Sequence, residues 1–266
     1  MSLSIHEEIA IALFLALSVW WVVLFFVFDA ELSSQNLYWA ATYQLIAWWG
    51  GIYALASSRY WGGFKSTMGR GIIFFGLGLV LQGFGQTTFS IYTTVLQVAI
   101  PYPSIADIGY FGSVFFYIAG ILSMAKVAGA SASLKSLGGK IAALLLPAAM
   151  LLISYTFFLQ GYEFDWSAPL RTFLDFGYPL GEAIYVSVAI LALIFSRNML
   201  GGIMRIPMLF LMLALTMQYV AEFNFLFQAA NETWVNGGYG DFLYLLAYFF
   251  MGFSLVRIER TIRNHK

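Results

Sequence analysis

Carboxyls set one helical turn from phenols or amides are the chemistry this chain repeats. Glu222 lies inside an apolar run, with Gln218 one turn before it and Asn224 close by. Gln82 and Gln86 repeat the i, i+4 spacing of Gln218 and Glu222, which puts each pair on one face of a helix. Asp107-x2-Tyr110, Asp241-x2-Tyr244 and Glu182-x2-Tyr185 each place an acid one turn from a tyrosine, and Asp175 adds a further acid. A carboxyl can accept hydrogen bonds, hold a cation or carry a proton, and a phenol beside it fixes its orientation. An ionisable group deep in a membrane helix costs about 2.5–3.5 kcal/mol on insertion scales, less toward the interface. Glu222 therefore needs a partner, a water-filled cavity or a proton. It marks either a ligand or proton site or a polar contact that pins helix packing.

The other polar groups keep two readings each. Ser104-x2-Asp107 before an apolar run has the form of a capping box, and Gly240-Asp241 reads the same way, so both acids serve helix ends or line a site at the bundle mouth. If Pro179 opens a helix, Glu182 is an early-turn acid. If the helix begins near Thr172, Glu182 is close to mid-membrane and Asp175 falls in the first turn. Gln82 and Gln86 are explained equally by hydrogen bonds between helices.

These residues sit in a chain of 266 residues that is 61% hydrophobic and 10% charged, with a mean hydropathy of +0.81. A soluble domain has too little interior for that much apolar surface. The chain is read as an all-α polytopic membrane protein, because outer-membrane strands alternate rather than run apolar. Cysteine is absent, and the two histidines, His6 and His265, lie at opposite ends. Thiolate metal sites, iron–sulfur clusters, disulfides and a bis-histidine haem are thereby excluded. Net charge is zero, so nothing favours nucleic acid. A retinal Schiff base requires a buried lysine, and the five lysines all fall between or beyond the apolar runs.

Eight spans are expected, at Ile9–Phe28, Leu37–Ala56, Gly71–Val95, Ala106–Ala125, Ile141–Leu159, Thr172–Phe195, Ile206–Phe227 and Asp241–Ile258. The first has an acidic flank, His6-Glu7-Glu8, and is too long for a signal-peptide core, so it reads as an anchor. Every basic residue except Arg171 falls on one side of this arrangement, and acids such as Asp29, Glu31, Glu163 and Asp165 fall on the other. By the positive-inside rule both termini are cytoplasmic and the acidic loops face out. The chain is read as a single bundle, residues 1–266, with hairpins at about 9–56, 71–125, 141–195 and 206–258.

Two hairpins share a pattern. Gln82-x3-Gln86-x2-Phe89 followed by Asp107-x2-Tyr110 matches Gln218-x3-Glu222-x2-Phe225 followed by Asp241-x2-Tyr244. Glu182-x2-Tyr185 and Gln35-x2-Tyr38 are weaker echoes. All lie on helices running in the same sense, which implies parallel repeats about an axis along the membrane normal.

Pro101-Tyr-Pro-Ser-Ile-Ala-Asp107-Ile-Gly-Tyr110 resembles the P-Y-P-S-x-A-D-x-x-Y motif of a multi-helix membrane input domain. That domain precedes GGDEF-type diguanylate cyclases and histidine kinases in bacteria and archaea. Asp175-Phe-Gly-Tyr-Pro179-Leu-Gly-Glu182 is similar to the family's D-x-x-Y-P-L-G-D element, and Tyr239-Gly-Asp241-Phe-Leu-Tyr244 to its last repeat. Gln86 stands where that family usually carries Glu. The resemblance covers roughly residues 70–258 and implies a sensory role, here without an output domain and without naming a stimulus or cofactor.

The sequence thus leads to a ligand-binding or sensory module of the cell membrane, with an outward polar pocket signalling through helix packing to a cytoplasmic protein partner. The second reading is an accessory subunit of a larger membrane complex that contacts pigment, quinone or lipid. A proton or solute transporter ranks third, because the cytoplasmic halves of the spans are almost devoid of polar groups. No nucleophile–base pair suggests an enzyme.

Overall fold

The computed structural model describes residues 3–27, 34–127, 135–196 and 205–263. Asp29, Glu31, Arg197, His265 and Lys266 lie outside the described residues. The architecture is all-helical, with no strand among the described residues. The helices are α1 (Ile5–Val27), α2 (Ser34–Ala40), α3 (Leu45–Ser57), α4 (Thr67–Ser90), α5 (Ala106–Val127), α6 (Leu137–Ser154), α7 (Pro169–Ser196), α8 (Arg205–Ala230) and α9 (Tyr239–Arg263). Wider π-turns, Ile91–Val95 and Tyr155–Leu159, extend α4 and α6. Seven helices, all but α2 and α3, are long and apolar enough to cross a membrane. The fold is that of a multi-pass helical membrane protein.

The expected second span, Leu37–Ala56, is the exception: it is broken into α2 and α3. Across Thr42–Ile46 the backbone changes spacing, with Thr42, Leu45 and Ile46 donating to Trp39, Thr42 and Tyr43, three residues back. The Thr42 hydroxyl also donates back to the Tyr38 carbonyl, at 2.5 Å, a contact that competes with regular helix. Side-chain amides serve the carbonyls at the break. Gln44 Nε2 donates to Ala41 O at 2.6 Å, and Gln86 Nε2 reaches across from α4 to Ala40 O at 3.3 Å. Irregular backbone at membrane depth is tolerated where protein supplies such partners, and Trp39, Tyr43 and Gln44 are all buried here.

Six helices close a ring in the order α3, α4, α5, α7, α8, α9 and back to α3, with α1 outside against α9 and α6 outside against α7. Ring positions three apart pair α3 with α7, α4 with α8 and α5 with α9. Close approach depends on missing side chains. A Cβ on Gly109 of α5 would lie 2.4 Å from Leu81 O and 2.6 Å from Gly85 N of α4. At the contact of α3 with α9, Gly50 meets Gly252 backbone to backbone. α9 is the most enclosed of the spanning helices and α6 the least, with only 6% of its apolar span buried.

The end of the bundle away from the starts of α5, α7 and α9 is held by a charge cluster. Glu7, fully buried, closes a capping box with Ser4: Ser4 N donates to Glu7 Oε2 at 2.7 Å, and Glu7 N donates to Ser4 Oγ at 3.3 Å. The same carboxylate accepts from Arg257 Nε at 2.8 Å and from Arg260 Nη1. One acid thus caps α1 and ties it to the last turns of α9.

Candidate ligand cavity at the head of the bundle

Where α5, α7 and α9 begin, the ring opens into a cavity of about 580 Å³, the size of a small-molecule site. Its wall contains Asp107 and Tyr110 of α5, Asp175 and Tyr178 of α7, Asp241, Tyr244 and Tyr248 of α9, and Gln86 and Glu222 of α4 and α8. Tyr248 lies nine residues into α9, so the cavity reaches about 14 Å down the bundle at 1.5 Å per residue. Most polar residues singled out in the sequence converge on this one space, from five helices.

Each acid is held by at least one phenol, and Asp107 and Asp241 also by a backbone donor at a helix end. Asp107 Oδ2 accepts from Ser104 N at 2.7 Å, the expected capping bond, and its Oδ1 accepts from Tyr178 OH of α7 at 2.7 Å. Asp241 does the same on α9: Oδ2 accepts from Gly237 N at 2.6 Å and Oδ1 from Tyr43 OH at 2.8 Å. Capping and cavity lining are therefore both served by one side chain. Tyr110 OH donates to Gln86 Oε1 at 2.6 Å, and Tyr244 OH donates to Glu222 Oε2 at 2.7 Å. Those two bonds join corresponding positions of the two matching motifs.

At the rim, Asp175 accepts from Tyr102 OH at 2.8 Å and from Tyr162 OH at 2.6 Å. Arg171 lies one turn away, its Nε 3.9 Å from Asp175, with its guanidinium 6.0 Å from the centre of the Tyr102 ring. Burial, followed by its bond to Asp175, pushes the Tyr102 phenol well above its ordinary range. The Asp175 bond likewise raises Tyr162. Both phenols are donors throughout the physiological range. In the loop before α7, Asp165 accepts from the hydroxyl and the backbone N–H of Ser167, which lower its carboxyl from the ordinary value.

The remaining sequence candidates form a layer beneath or behind the wall. Gln218 Nε2 donates to Glu222 Oε1 at 2.7 Å, and Gln82 Nε2 bonds Ser113 Oγ at 2.8 Å and approaches Glu222 Oε1 at 3.4 Å. Gln82 Oε1 accepts from Tyr248 OH at 2.9 Å. Tyr185 OH points to Leu215 O at 3.4 Å. Asn224 reaches Gln228, not Glu222. α7 starts at Pro169, so Pro179 is internal, Glu182 is mid-helix and Asp175 sits in the second turn, not the first. Glu182 is buried, yet its Oε1 has no hydrogen-bond partner among the described residues, nor do Gln218 Oε1 and Tyr117 OH. Tyr38, the faint fourth echo, is exposed and does not line the cavity.

Tyr43, Tyr178 and Tyr248 were not among the residues the sequence reading selects. Tyr178 carried a signal, since it stands inside the quoted Asp175–Glu182 element. Tyr43 and Tyr248 are single phenols in apolar runs, and only the ring closure shows which acid or amide each one meets. Glu7 reads as an acidic flank until α9 is brought beside it.

No family model, curated protein or solved structure matches the chain.

Proposed function

We propose that the protein is a membrane-embedded ligand-binding module whose head cavity faces outward and whose helix packing reports occupancy to a cytoplasmic partner. The observation that carries this reading is the path of α9. Asp241, Tyr244 and Tyr248 lie in the cavity wall, and the same uninterrupted helix holds Arg257 and Arg260 at the Glu7 clamp. From Asp241 to Arg257 is about 24 Å of rigid helix. A ligand that favours one setting of α9 at the cavity shifts its setting at the clamp, provided its affinity differs between the two.

The positive-inside distribution supports outward placement of the cavity, cytoplasmic termini and residence in the cell membrane. The likeness to input domains of cyclases and kinases agrees with a sensory role. A two-fold relation between the halves of the ring is supported by its pairings. Tyr43, in the break just before α3, meets Asp241 of α9, as Tyr178 of α7 meets Asp107 of α5. Gln86 with Tyr110 and Glu222 with Tyr244 follow the same relation. The cavity then lies on the axis where the two repeats meet, as sites do in other repeat-built membrane bundles. We assign no catalytic step to it.

The bare apolar length of α6 favours the second reading, a subunit whose outer face packs on another membrane protein. Native mass spectrometry of the protein taken gently from its own membrane separates the two. A small-molecule adduct in wild type that is lost in Ala229→Trp, a change at the exposed cavity rim, supports the module. A stable assembly with no small-molecule adduct refutes it and supports the subunit.

A further inference from the structure

Given that the head cavity binds a ligand, its chemistry specifies the class: we propose an organic cation, an ammonium or guanidinium group carrying an apolar body. Three features point there.

The first is charge. Asp107, Asp175, Asp241 and Glu222 line the cavity, against one cationic lining residue, Arg171. Among the described residues the hydrogen-bond partners of these four carboxyls are backbone N–H groups, side-chain amide groups and hydroxyls, all able to donate. They present oxygen lone pairs to whatever enters. A carboxylate has about four acceptor positions, and Asp241 uses two. An anionic ligand would meet this field with one guanidinium, itself already beside Asp175.

The second is the wall between the acids. Tyrosine is its commonest residue, joined by Phe89, Phe158, Phe225 and Trp234. Aromatic faces attract cations through their quadrupole and do so more strongly when water is excluded. The protein makes this contact itself at the rim, where Arg171 stands over Tyr102 next to Asp175. A bound ammonium deeper in the cavity would repeat that arrangement with Glu222 and Tyr244.

The third separates an organic cation from a metal ion. Among the described residues no three His, Cys, Asp or Glu side chains gather closely enough to hold a metal. The acids are spread around a space of about 580 Å³, which suits a bulky cation touching one or two carboxylates.

The test uses the purified full chain in lipid nanodiscs and three probes built on one benzyl frame: benzyltrimethylammonium, its neutral isostere neopentylbenzene, and phenylmethanesulfonate. Binding is read by calorimetry or by thermal shift. The ammonium is expected to bind at one site at least about tenfold more tightly than either other probe. Glu222→Gln, which keeps side-chain size and an acceptor for Tyr244, is expected to remove that preference. Asp175→Asn at the rim, which leaves the buried layer untouched, is expected to weaken it. Equal or tighter binding of the neutral or anionic probe overturns the cation proposal while leaving a ligand cavity in place. Ammonium binding that survives both substitutions overturns the placement of its charge contacts. Binding by none of the three overturns the cation proposal, and the adduct experiment above then decides separately whether the cavity holds any ligand.

Discussion

Removing the Gln86 amide should loosen the break between α2 and α3 specifically. Gln86 gives an acceptor to Tyr110 OH at 2.6 Å and a donor to Ala40 O at 3.3 Å. In Gln86→Leu, Tyr110 borders the cavity and water can replace its partner, so that loss is worth about 0.5–1.5 kcal/mol. Ala40 is buried against α4 and has no such replacement, and stranding a buried carbonyl costs about 1–3 kcal/mol, with the long bond favouring the lower half. Only the Ala40 loss falls on the break itself, so the expected effect is about 1–2 kcal/mol, roughly a five- to thirtyfold rise in local opening at 1.4 kcal/mol per decade. Hydrogen exchange of the Thr42–Ile46 amides, read by mass spectrometry in nanodiscs, measures that opening, with α6, which Gln86 does not touch, as the internal control. Gln86→Glu is the sharper comparison. It keeps an acceptor for Tyr110 but turns a carboxylate oxygen toward Ala40 O, so faster exchange is expected near neutral pH. After correction for the intrinsic exchange rate, acidification should reduce the opening, because a protonated carboxyl regains a donor; Gln86→Leu has no donor to regain. Unchanged exchange at Thr42–Ile46 in Gln86→Leu would refute the claim that this amide sustains the break.

Glu7→Gln should release α1 from α9 at a cost of about 2–4 kcal/mol, below the full value for a buried pair because both arginines are partly exposed; a lower melting temperature and faster exchange at residues 5–10 would show it. Gly109→Ala should cost about 1–3 kcal/mol or more, since the new Cβ meets backbone atoms of α4. Gly112→Ala, with only Leu81 Cδ1 at 3.5 Å, should be nearly neutral in the same melting experiment. The lowered Asp165 carboxyl stabilises the turn before α7 above its ordinary value of about 3.9, and that contribution is lost as pH falls through the folded value. Once corrected for the intrinsic exchange rate, opening of the amides at 167–172 should therefore rise on acidification in wild type and lose its pH dependence in Asp165→Asn.

The membrane class was legible because apolar runs of spanning length have few other uses. The ends of α5 and α9 were legible too, since Asp107 and Asp241 combine an acid with a capping position. The break at Thr42–Gln44 was not: composition cannot distinguish a continuous apolar helix from two pieces whose carbonyls are served by Gln44 and by a glutamine from another helix. The same holds for the acid–phenol pairs. Asp107 and Tyr110 share a helix face and looked like partners, yet Asp107 takes Tyr178 and Tyr110 takes Gln86. Spacing along one helix identifies which groups share a face, whereas the ring decides which faces meet. Glu182 shows the limit from the other side: its depth follows once α7 is known to begin at Pro169, but its lack of a partner at Oε1 belongs to the packing alone.

Because the chain has no cysteine, a single introduced thiol reports accessibility without background. The most direct test of an outward-open cavity is Leu226→Cys, a wall position one turn beyond Glu222, treated with a membrane-impermeant thiol reagent in right-side-out and inverted vesicles. An outward-open cavity gives reaction in right-side-out vesicles at a rate comparable to a thiol in the exposed loop, as in Glu163→Cys, and strong slowing when Ala229→Trp narrows the mouth. Reaction only in inverted vesicles, or equal rates with and without the tryptophan, would contradict it.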